Sequence, residues 1–301
     1  MMVSVLMITY NHEKFIRQAL DSALMQNFDG EWELVIGEDC STDATRSILL
    51  EYQKLYPHRI RLLLREKNLG WMKNSLGTFH ACRGKYIALL EGDDLWTSPD
   101  KLQKQVDFLE SHPGFSSSFH NVTVLSDDKE TTCYEPGKMK REYHLKDIVG
   151  GNFIHTCSVV YRNGGEIPEW FESMPMGDWP THILNAEWGP IGYIDEVMAS
   201  YRVHGGGLWS AQSRCDILQS SIHAALVIDS HLKHQFRRMI NREIAYWELE
   251  TAIILATQNK RTAAIRHLAA AIAKAPLKRE LYKKIVKGFI PVFLTSEQPG
   301  T

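Results

Sequence analysis

The sequence has few cysteines and no long apolar run. Its five cysteines, among 301 residues, are widely spaced and include no Cys-x-x-Cys pair, so free thiols in a reducing cytosol are expected. No stretch of about 20 apolar residues is available to cross a bilayer. The first ten residues lack the basic leader of a signal peptide and suit a buried first strand instead. These absences predict a cytoplasmic protein.

Three loop motifs that indicate a particular chemistry are also missing. No Gly-x-Gly-x-x-Gly follows the first predicted strand and no Gly-x₄-Gly-Lys-Ser/Thr occurs, which disfavours dinucleotide and P-loop sites. No Gly-x-Ser-x-Gly elbow is present for a hydrolase nucleophile. Nucleic-acid binding has no supporting motif either. A bound nucleotide would therefore be held by side chains.

What is present is an alternation of strands and helices. Hydrophobic residues make up 44% and charged residues 23% of the chain, as in soluble globular proteins. Apolar runs and helical periodicities alternate as βαβαβαβ up to residue 90, which predicts a doubly wound parallel sheet. From about Ser213 onward only helices are predicted, so a domain boundary is placed near residue 210.

Two local expectations accompany this pattern. Ser41 or Thr42 is the predicted N-cap of the helix after the second strand. The polar stretch from Ser126 to Glu142 has no clear periodicity and is predicted to be a mobile loop.

Three carboxylates follow the most buried predicted strand. Tyr86 to Leu90 is apolar, and Glu91, Asp93 and Asp94 come directly after it. The carboxyl ends of parallel strands are where open α/β sheets bind ligands, and crowded carboxylates repel unless a cation neutralises them. The prediction is a diphosphate held by Mg²⁺ or Mn²⁺. Alternatively, these acids only start the next helix, which leaves Glu91 and Asp93 beside a glycine unexplained.

Other polar side chains follow neighbouring strands and converge on the same edge of the sheet. Tyr10 could stack on a base, and Asp39 could accept from a uracil N–H or a ribose hydroxyl. Asn68 and Lys73 could hold polar edges or phosphates. Taken singly, Tyr10 could equally cover the sheet, and Asp39 could be an acid in a turn.

As an ordered set, these segments resemble family 2 glycosyltransferases. The resemblance covers about residues 3–207 and rests on Ile8-Thr9-Tyr10-Asn11, Gln18 to Gln26, Glu38 to Asp43, Asn68-Leu69-Gly70, Glu91-Gly92-Asp93-Asp94, Gly177-Asp178-Trp179 and Tyr201 to His204. It implies an α/β protein of the GT-A fold, with a Rossmann-like, mostly parallel sheet between helices. Residues 1–100 would bind the nucleotide-sugar, 101–210 the acceptor, and 211–301 would form an all-helical extension.

The resemblance also implies an activity and its residues. It implies an inverting, metal-dependent transfer from a nucleotide-sugar, most often a UDP-sugar, to a glycan or lipid-linked acceptor. Asp178 would be the general base, and Asp93 with His204 would hold Mn²⁺ or Mg²⁺. Nucleotide-sugar contacts are implied for Thr9, Tyr10, Asn11, Asp39, Asn68, Lys73, Glu91, Gly92 and Asp93.

Two positions depart from the family pattern. Glu91 replaces the commoner aspartate, and Gly177 stands where the family has a first acid before its base. Two of the implied residues also have simpler explanations: Asp178 could only cap a helix, and His204 could be a surface histidine. Trp179, next to the implied base, is the preferred aromatic platform for a sugar ring.

The basic C-terminal part leaves its role open. Helices are predicted at 213–232, 235–257, 261–274 and 277–287, and Lys and Arg outnumber acids between Lys233 and Lys287. The last helix has an apolar stripe and a cationic set, which suits peripheral contact with the inner face of a membrane. It could equally bind a partner or a second copy of the chain. A sugar nucleotidyltransferase and a degenerate domain that only binds partners are the competing functions.

Overall fold

The structure, a computed structural model, describes residues 1–126 and 129–275, together with Lys283 and Lys287. The strands are β1 (Val3–Thr9), β2 (Trp32–Glu38), β3 (Ile60–Leu64), β4 (Tyr86–Leu89), β5 (Leu95–Trp96), β6 (Ser117–Ser126), β7 (Lys129–Thr132), β8 (Glu142–Tyr143), β9 (Val160–Arg162) and β10 (Ile191–Val203). The α-helices are α1 (Ile16–Leu24), α2 (Thr45–Leu55), α3 (Trp71–Phe79), α4 (Lys101–Ser111), α5 (Leu145–Ile148), α6 (Asp178–Trp188), α7 (Arg214–His231), α8 (Arg237–Thr257) and α9 (Arg261–Lys274).

The strands form one mixed sheet in the order β3-β2-β1-β4-β9-β6-β10-β5, with β7 beside β6 and β8 beside β10. Strands β3, β2, β1 and β4 are parallel, as are β6 and β10. The short strand β9 runs antiparallel to both of its neighbours, β4 and β6. Strands β5 and β8 are antiparallel to β10, and β7 is antiparallel to β6. The predicted mostly parallel sheet flanked by helices is confirmed, and β9 separates its two parallel sets.

The parallel strands bring their polar carboxyl ends to one edge. Strand β1 is buried along almost its whole length, as expected for a strand covered on both faces. Its register with β2 aligns Thr9 with Glu38, and its register with β4 aligns Leu6 with Leu89. The segments that follow β1, β2 and β4 therefore start at the same edge of the sheet.

The predicted N-cap of α2 is wrong. The helix begins at Thr45, and the Asp43 side chain accepts from its backbone N–H at 2.9 Å. Ser41 Oγ instead accepts from the backbone N–H of Asn11 at 3.0 Å, and the Thr42 N–H donates to Asn11 Oδ1 at 2.8 Å. Both residues are used to tie the segment after β2 to the segment after β1.

The predicted loop over 126–142 is wrong in part: residues 133–141 form no helix or strand, but strands lie at both ends of the stretch. Strand β7 pairs antiparallel with β6, and β8 at the end of the stretch pairs with β10. Strand β7 is exposed throughout, so its residues carry no apolar alternation from which a strand could be predicted.

The chain divides into two compact units. One comprises residues 1–145, 153–173 and 177–207, and the other comprises 146–152, 174–176 and 208 onward. In the second unit, small side chains of α8 and α9 form an apolar cluster that includes Ala252, Ala256 and Ala264. The boundary near 210 and the division at 100 stay predictions about separate domains.

Helix α9 ends at Lys274, as predicted, and the predicted helix over 277–287 lies outside the described residues apart from Lys283 and Lys287. Within the described parts of the chain, no helix has both the length and the apolar character needed to span a membrane.

Candidate active site

The acids after β4 lie against the end of β1. The backbone N–H of Gly92 donates to the carbonyl of Ile8 at 3.0 Å, so the segment continues alongside β1. A Cβ at position 92 would lie 2.7 Å from Thr9 Oγ1, and only glycine permits this approach. Glu91, Asp93 and Asp94 each contribute one ligand atom to a group whose atoms all lie within 4.8 Å. The predicted acidic cluster therefore exists in the folded chain.

Burial, together with the neighbouring carboxylates, raises the pKa of Glu91 and Asp94. Burial raises the pKa of Glu91 well above its usual range, and the charges of Asp93, Asp94 and Asp178 raise it further. Burial and Asp93 likewise raise the pKa of Asp94, although the Arg202 N–H, which donates to Asp94 at 2.8 Å, opposes this shift. Burial and mutual repulsion thus outweigh the effect of Arg202 on Asp94, and a bound cation would relieve that repulsion.

Asp178 belongs to the same electrostatic group. It is the first residue of α6, and its Oδ1 accepts from the Trp179 N–H at 2.7 Å. Burial raises the pKa of Tyr201 most. The charges of Asp94, Glu91, Asp93 and Asp178 raise it further. Tyr201 is thus a residue on which all four acids act, and it was not singled out from the sequence.

The glycine before Asp178 has a structural reason. A Cβ at position 177 would lie 3.2 Å from the Trp71 ring, so Trp71 occupies the space into which a side chain there would point. Trp71 also lines a cavity of about 190 Å³, together with Leu69, Gly70, Met72, Lys73 and Glu172. An acid at position 177 would therefore need the Trp71 ring to shift by a few tenths of an ångström.

The predicted sugar platform is wrong. Trp179 is only 2% exposed, and a ring buried to this extent has no face free for a sugar. Its position on α6 turns it into the core while Asp178, one residue earlier, stays half-buried. Adjacent helical residues point about 100° apart, which is why proximity in sequence was misleading.

Asp93 is surrounded by nitrogen donors. His204 Nε2 lies 3.0 Å from Asp93 Oδ2, and His12 Nε2 lies 3.6 Å from the same oxygen. The Arg202 guanidinium donates to the Asp93 carbonyl oxygen at 2.8 Å and to the side chain of Gln18. A carboxylate with an adjacent imidazole is a donor set that divalent cations accept, so Asp93 and His204 fit the predicted metal site.

Burial lowers the pKa of His12 despite the opposing charge of Asp93. This residue was also missed in the sequence. The only available signal was its position in the polar segment directly after β1.

On the nucleoside side, Asp39 organises a loop. Its two carboxylate oxygens accept from the backbone N–H groups of Leu69 and Gly70 at 2.7 and 3.0 Å, and it is only 2% exposed. Asn68 donates to the Asp39 carbonyl oxygen at 3.1 Å. Asp39 and Asn68 therefore meet as predicted, but Asp39 already has two backbone donors, and its contact with a nucleoside stays a prediction.

The remaining predicted nucleotide-binding residues differ in exposure. Thr9 is buried, whereas Tyr10, Asn11 and Lys73 are exposed. Tyr10 is 43% exposed, which leaves part of its ring available for stacking. Asn11 adopts a positive φ of 55° and binds the segment after β2. The roles of these residues toward a ligand stay predictions.

Comparisons with known proteins agree on one family. Residues 4–164, more than half of the chain, match the family described as glycosyl transferase family 2. An uncharacterised Mycobacterium tuberculosis protein is 35% identical over 257 residues, covering 82% of this chain and 74% of that protein. The putative teichuronic acid biosynthesis glycosyltransferase TuaG of Bacillus subtilis is 35% identical over 207 residues, covering 67% of this chain and 79% of TuaG.

Solved structures show the same fold at low sequence identity. The crystal structure of S. aureus TarS 1-349 in complex with UDP-GlcNAc matches with a TM-score of 0.62 and 16% identity, covering 96% of this chain and 92% of that one. Mannosyltransferase PcManGT from Pyrobaculum calidifontis in complex with GDP-Man and Mn²⁺ matches with a TM-score of 0.61 and 17% identity, covering 96% and 79%. The predicted GT-A fold is confirmed, and the chain is a glycosyltransferase that belongs to glycosyl transferase family 2.

Proposed function

We propose that this chain transfers a sugar, with inversion at the anomeric carbon, from a UDP-sugar to a glycan or lipid-linked acceptor. The observation that carries the proposal is the acidic group of Glu91, Asp93 and Asp94, whose ligand atoms lie within 4.8 Å of one another, with His204 Nε2 3.0 Å from Asp93 Oδ2. Asp178 acts electrostatically on the same group. The complex of TarS with UDP-GlcNAc supports UDP as the nucleotide. The description of TuaG supports a surface polysaccharide as the product.

Asp178 is the proposed general base. As the acceptor hydroxyl oxygen forms its bond to the anomeric carbon, the Asp178 carboxylate takes the hydroxyl proton. The bond between that carbon and the diphosphate breaks on the opposite face, and UDP leaves with the bonding electrons. Asp178 is suited to stay ionised because the N-terminus of α6 stabilises negative charge. General-base assistance of this kind contributes about 10²–10⁴-fold to the rate.

The leaving diphosphate is proposed to lie beside Asp93 and His204. A bound Mn²⁺ or Mg²⁺ would supply charge neutralisation for the departing nucleotide, and PcManGT, described in complex with Mn²⁺, supports this choice of ion. The Arg202 guanidinium donates to the Asp93 carbonyl oxygen and so holds the Asp93 backbone in place. Asp39 keeps the loop around Gly70 in position on the nucleoside side.

Binding of the nucleotide is the first test. Thermal unfolding of the full chain is measured with UDP, GDP, CDP or TDP, each in EDTA and in Mn²⁺. A ligand at 100 times its dissociation constant stabilises the native state by about 2.7 kcal/mol. Stabilisation by UDP that requires Mn²⁺ supports the proposal. Stabilisation by another nucleotide alone overturns the choice of UDP, and no stabilisation by any of them overturns the proposed donor site.

The same proposal includes a lipid-linked acceptor and contact of the basic C-terminal segment with the inner face of a membrane. Binding of that segment to a partner or to a second copy of the chain is the alternative. Flotation of the full chain with anionic vesicles, compared with neutral vesicles, measures the membrane contact. Recovery of the chain with anionic vesicles only is the expected result, and no recovery with either kind overturns it.

A further inference from the structure

Two imidazole rings from distant parts of the chain meet at one carboxylate oxygen. His12 lies in the segment after β1, and His204 directly follows β10. Their Nε2 atoms lie 3.6 Å and 3.0 Å from Asp93 Oδ2. The two ring centres are 6.3 Å apart, and the rings stand nearly perpendicular, at 84°. Both side chains therefore present a nitrogen to the same point.

His12 is held firmly in this position. Its backbone N–H donates to Thr45 Oγ1 at 2.8 Å, and its carbonyl oxygen accepts from the N–H groups of Phe15 and Ile16 at 2.9 and 2.8 Å. Its side chain is only 15% exposed. A Cβ at position 92 would lie 2.9 Å from His12 Nδ1, so Gly92 packs directly against the ring. Backbone hydrogen bonds and packing therefore restrict the ring before any ligand arrives, while its Nδ1 makes no hydrogen bond among the described residues.

The distances suit a single cation. In an octahedral site with bonds of about 2.1 Å, neighbouring donor atoms are about 3.0 Å apart. The separation of His204 Nε2 and Asp93 Oδ2 has this value. His12 Nε2 lies 0.6 Å farther from the same oxygen, so the His12 ring must move toward a bound cation to occupy a third position. A site with two imidazoles and one carboxylate keeps open positions, which diphosphate oxygens could fill.

We propose that His12 is a second imidazole ligand, beside His204, of the divalent cation at Asp93, and that it makes the site selective for Mn²⁺ over Mg²⁺. Mg²⁺ takes oxygen ligands and keeps several waters. Mn²⁺ also takes oxygen ligands, but as a first-row transition-metal ion it binds imidazole nitrogen more readily than Mg²⁺ does. A site with one carboxylate and two imidazoles thus favours Mn²⁺ beyond what Asp93 and His204 alone provide. This inference rests on the metal site of the proposed function and adds a residue and a selectivity to it.

Electron spin-echo spectroscopy of bound Mn²⁺ counts the coordinated imidazole nitrogens directly. The full chain is loaded with Mn²⁺, alone and with UDP, in wild-type, His12→Gln, His204→Gln and His80→Gln forms. We expect two coupled imidazole nitrogens in the wild type, one in each of the first two variants, and two in His80→Gln. His80 is exposed at the end of α3, away from Asp93, and is the matched control.

Calorimetric titration measures the selectivity. We expect His12→Gln to weaken Mn²⁺ binding by about 10–100-fold, the range seen when the surroundings of a metal are altered, and to weaken Mg²⁺ binding much less. The ratio of the two dissociation constants should therefore move toward one. An unchanged ratio overturns the proposed selectivity.

The outcomes separate this inference from the proposed function. One coupled nitrogen in the wild type overturns the role of His12 and leaves the site at Asp93 intact. No specific Mn²⁺ signal in the wild type overturns the metal site itself, and this inference with it. The wild-type spectrum alone counts the ligands, so the test stands even if His12→Gln fails to fold.

Discussion

Strands β2 and β4 lie on either side of β1, and both lead into acidic segments that look alike in the sequence. At the end of β2, the Glu38 carboxylate accepts hydrogen bonds from Arg46 and from the Ser41 N–H. The next residue, Asp39, accepts from two backbone N–H groups. After β4, Glu91 and Asp94 have raised pKa values because they are buried beside other acids. The first group, Glu38 and Asp39, has its charge balanced by partners within the fold. The second group, the acids after β4 together with Asp178, would be neutralised by a bound cation.

This difference shows what separates a structural acid from a candidate catalytic one. A carboxylate that receives an arginine or several N–H groups is satisfied and fixes the loops around it. Carboxylates that mainly face one another store repulsion that only a proton or a cation removes. Three substitutions test whether the two groups differ in this way, and a fourth tests a buried lysine outside them.

Asp178→Asn should have the largest effect, because it removes the proposed proton acceptor from the second group. Transfer should fall by about 10²–10⁴-fold, while the dissociation constant of UDP with Mn²⁺ changes little. Steady-state rates and calorimetry measure the two quantities. Glu187→Gln removes an exposed acid from the same helix and should leave both unchanged. Transfer by Asp178→Asn at the wild-type rate would show that another group is the base.

Glu38→Gln should cost the most stability, because it breaks a neutralised pair. Glu38 is fully buried, and the amide would present an N–H to Arg46. The free energy of unfolding should fall by about 3 kcal/mol, measured by urea denaturation. Glu51→Gln, which alters an exposed pair with Arg17, is the control and should change it little. Equal effects of the two substitutions would contradict the structural role of Glu38.

Lys101 is a buried basic residue whose charge, like that of the crowded acids, is poorly balanced by its surroundings. Its Nζ has no hydrogen-bond partner among the described residues and lies 4.1 Å from the centre of the Trp96 ring. Burial lowers its pKa to about 7, against about 10.4 in the unfolded chain. Between about pH 7 and about pH 10.4 the lysine is protonated in the unfolded chain and largely neutral in the folded protein, so stability rises with pH in this range. The destabilising effect of Lys101 is therefore largest below about pH 7 and becomes small near about pH 10.

Lys101→Met should therefore stabilise the protein by about 1–3 kcal/mol at pH 7, with a gain that shrinks as the pH rises to 10. Urea denaturation at pH 7, 8.5 and 10 measures this trend. Lys104→Met, an exposed position on the same helix, should show no such pH dependence. A gain that is constant with pH would mean that the lysine is charged in the folded protein throughout this range.

Glu91→Gln should have the smallest effect and the opposite sign to Glu38→Gln. The folded pKa of Glu91 is raised, so the wild type loses stability as the pH rises from about 4.3 through that raised value. In EDTA at pH 7 the variant should be more stable by about 1 kcal/mol. Added Mn²⁺ should stabilise the wild type more than the variant. A less stable variant in EDTA would show that the ionised Glu91 has a partner of its own.

Much of the fold could be predicted because its signals are local. The positions of strands β1 and β4 and of helix α9 were predicted to within about one residue. Apolar runs and helical periodicity depend on neighbouring residues, so the sequence shows them directly. The exposed strand β7 could not be predicted, because its pairing with β6 is a tertiary contact that leaves no apolar alternation in the sequence. The N-cap of α2 failed for a similar reason: Ser41 and Thr42 had better partners at Asn11.

The acids of the candidate site were predicted from the sequence, whereas the residues that surround them were not. The carboxylates after β4 are adjacent in the chain, so their crowding was visible in the sequence. The approach of His12 to Asp93 and the contact of Trp71 with Gly177 join residues about 80 and 106 positions apart, and no local pattern encodes such contacts.

The sequence by itself determined the alternation of strands and helices up to residue 90, the edge of the sheet where polar segments gather, and the family to which the chain belongs. Only the tertiary structure decided which acids are neutralised by the fold and which are left crowded. It also decided that Trp179 is buried and that His12 and His204 share one carboxylate oxygen. The physical reason is that secondary structure follows from periodicity along the chain, whereas burial, charge neutralisation and ligand geometry depend on which distant segments meet.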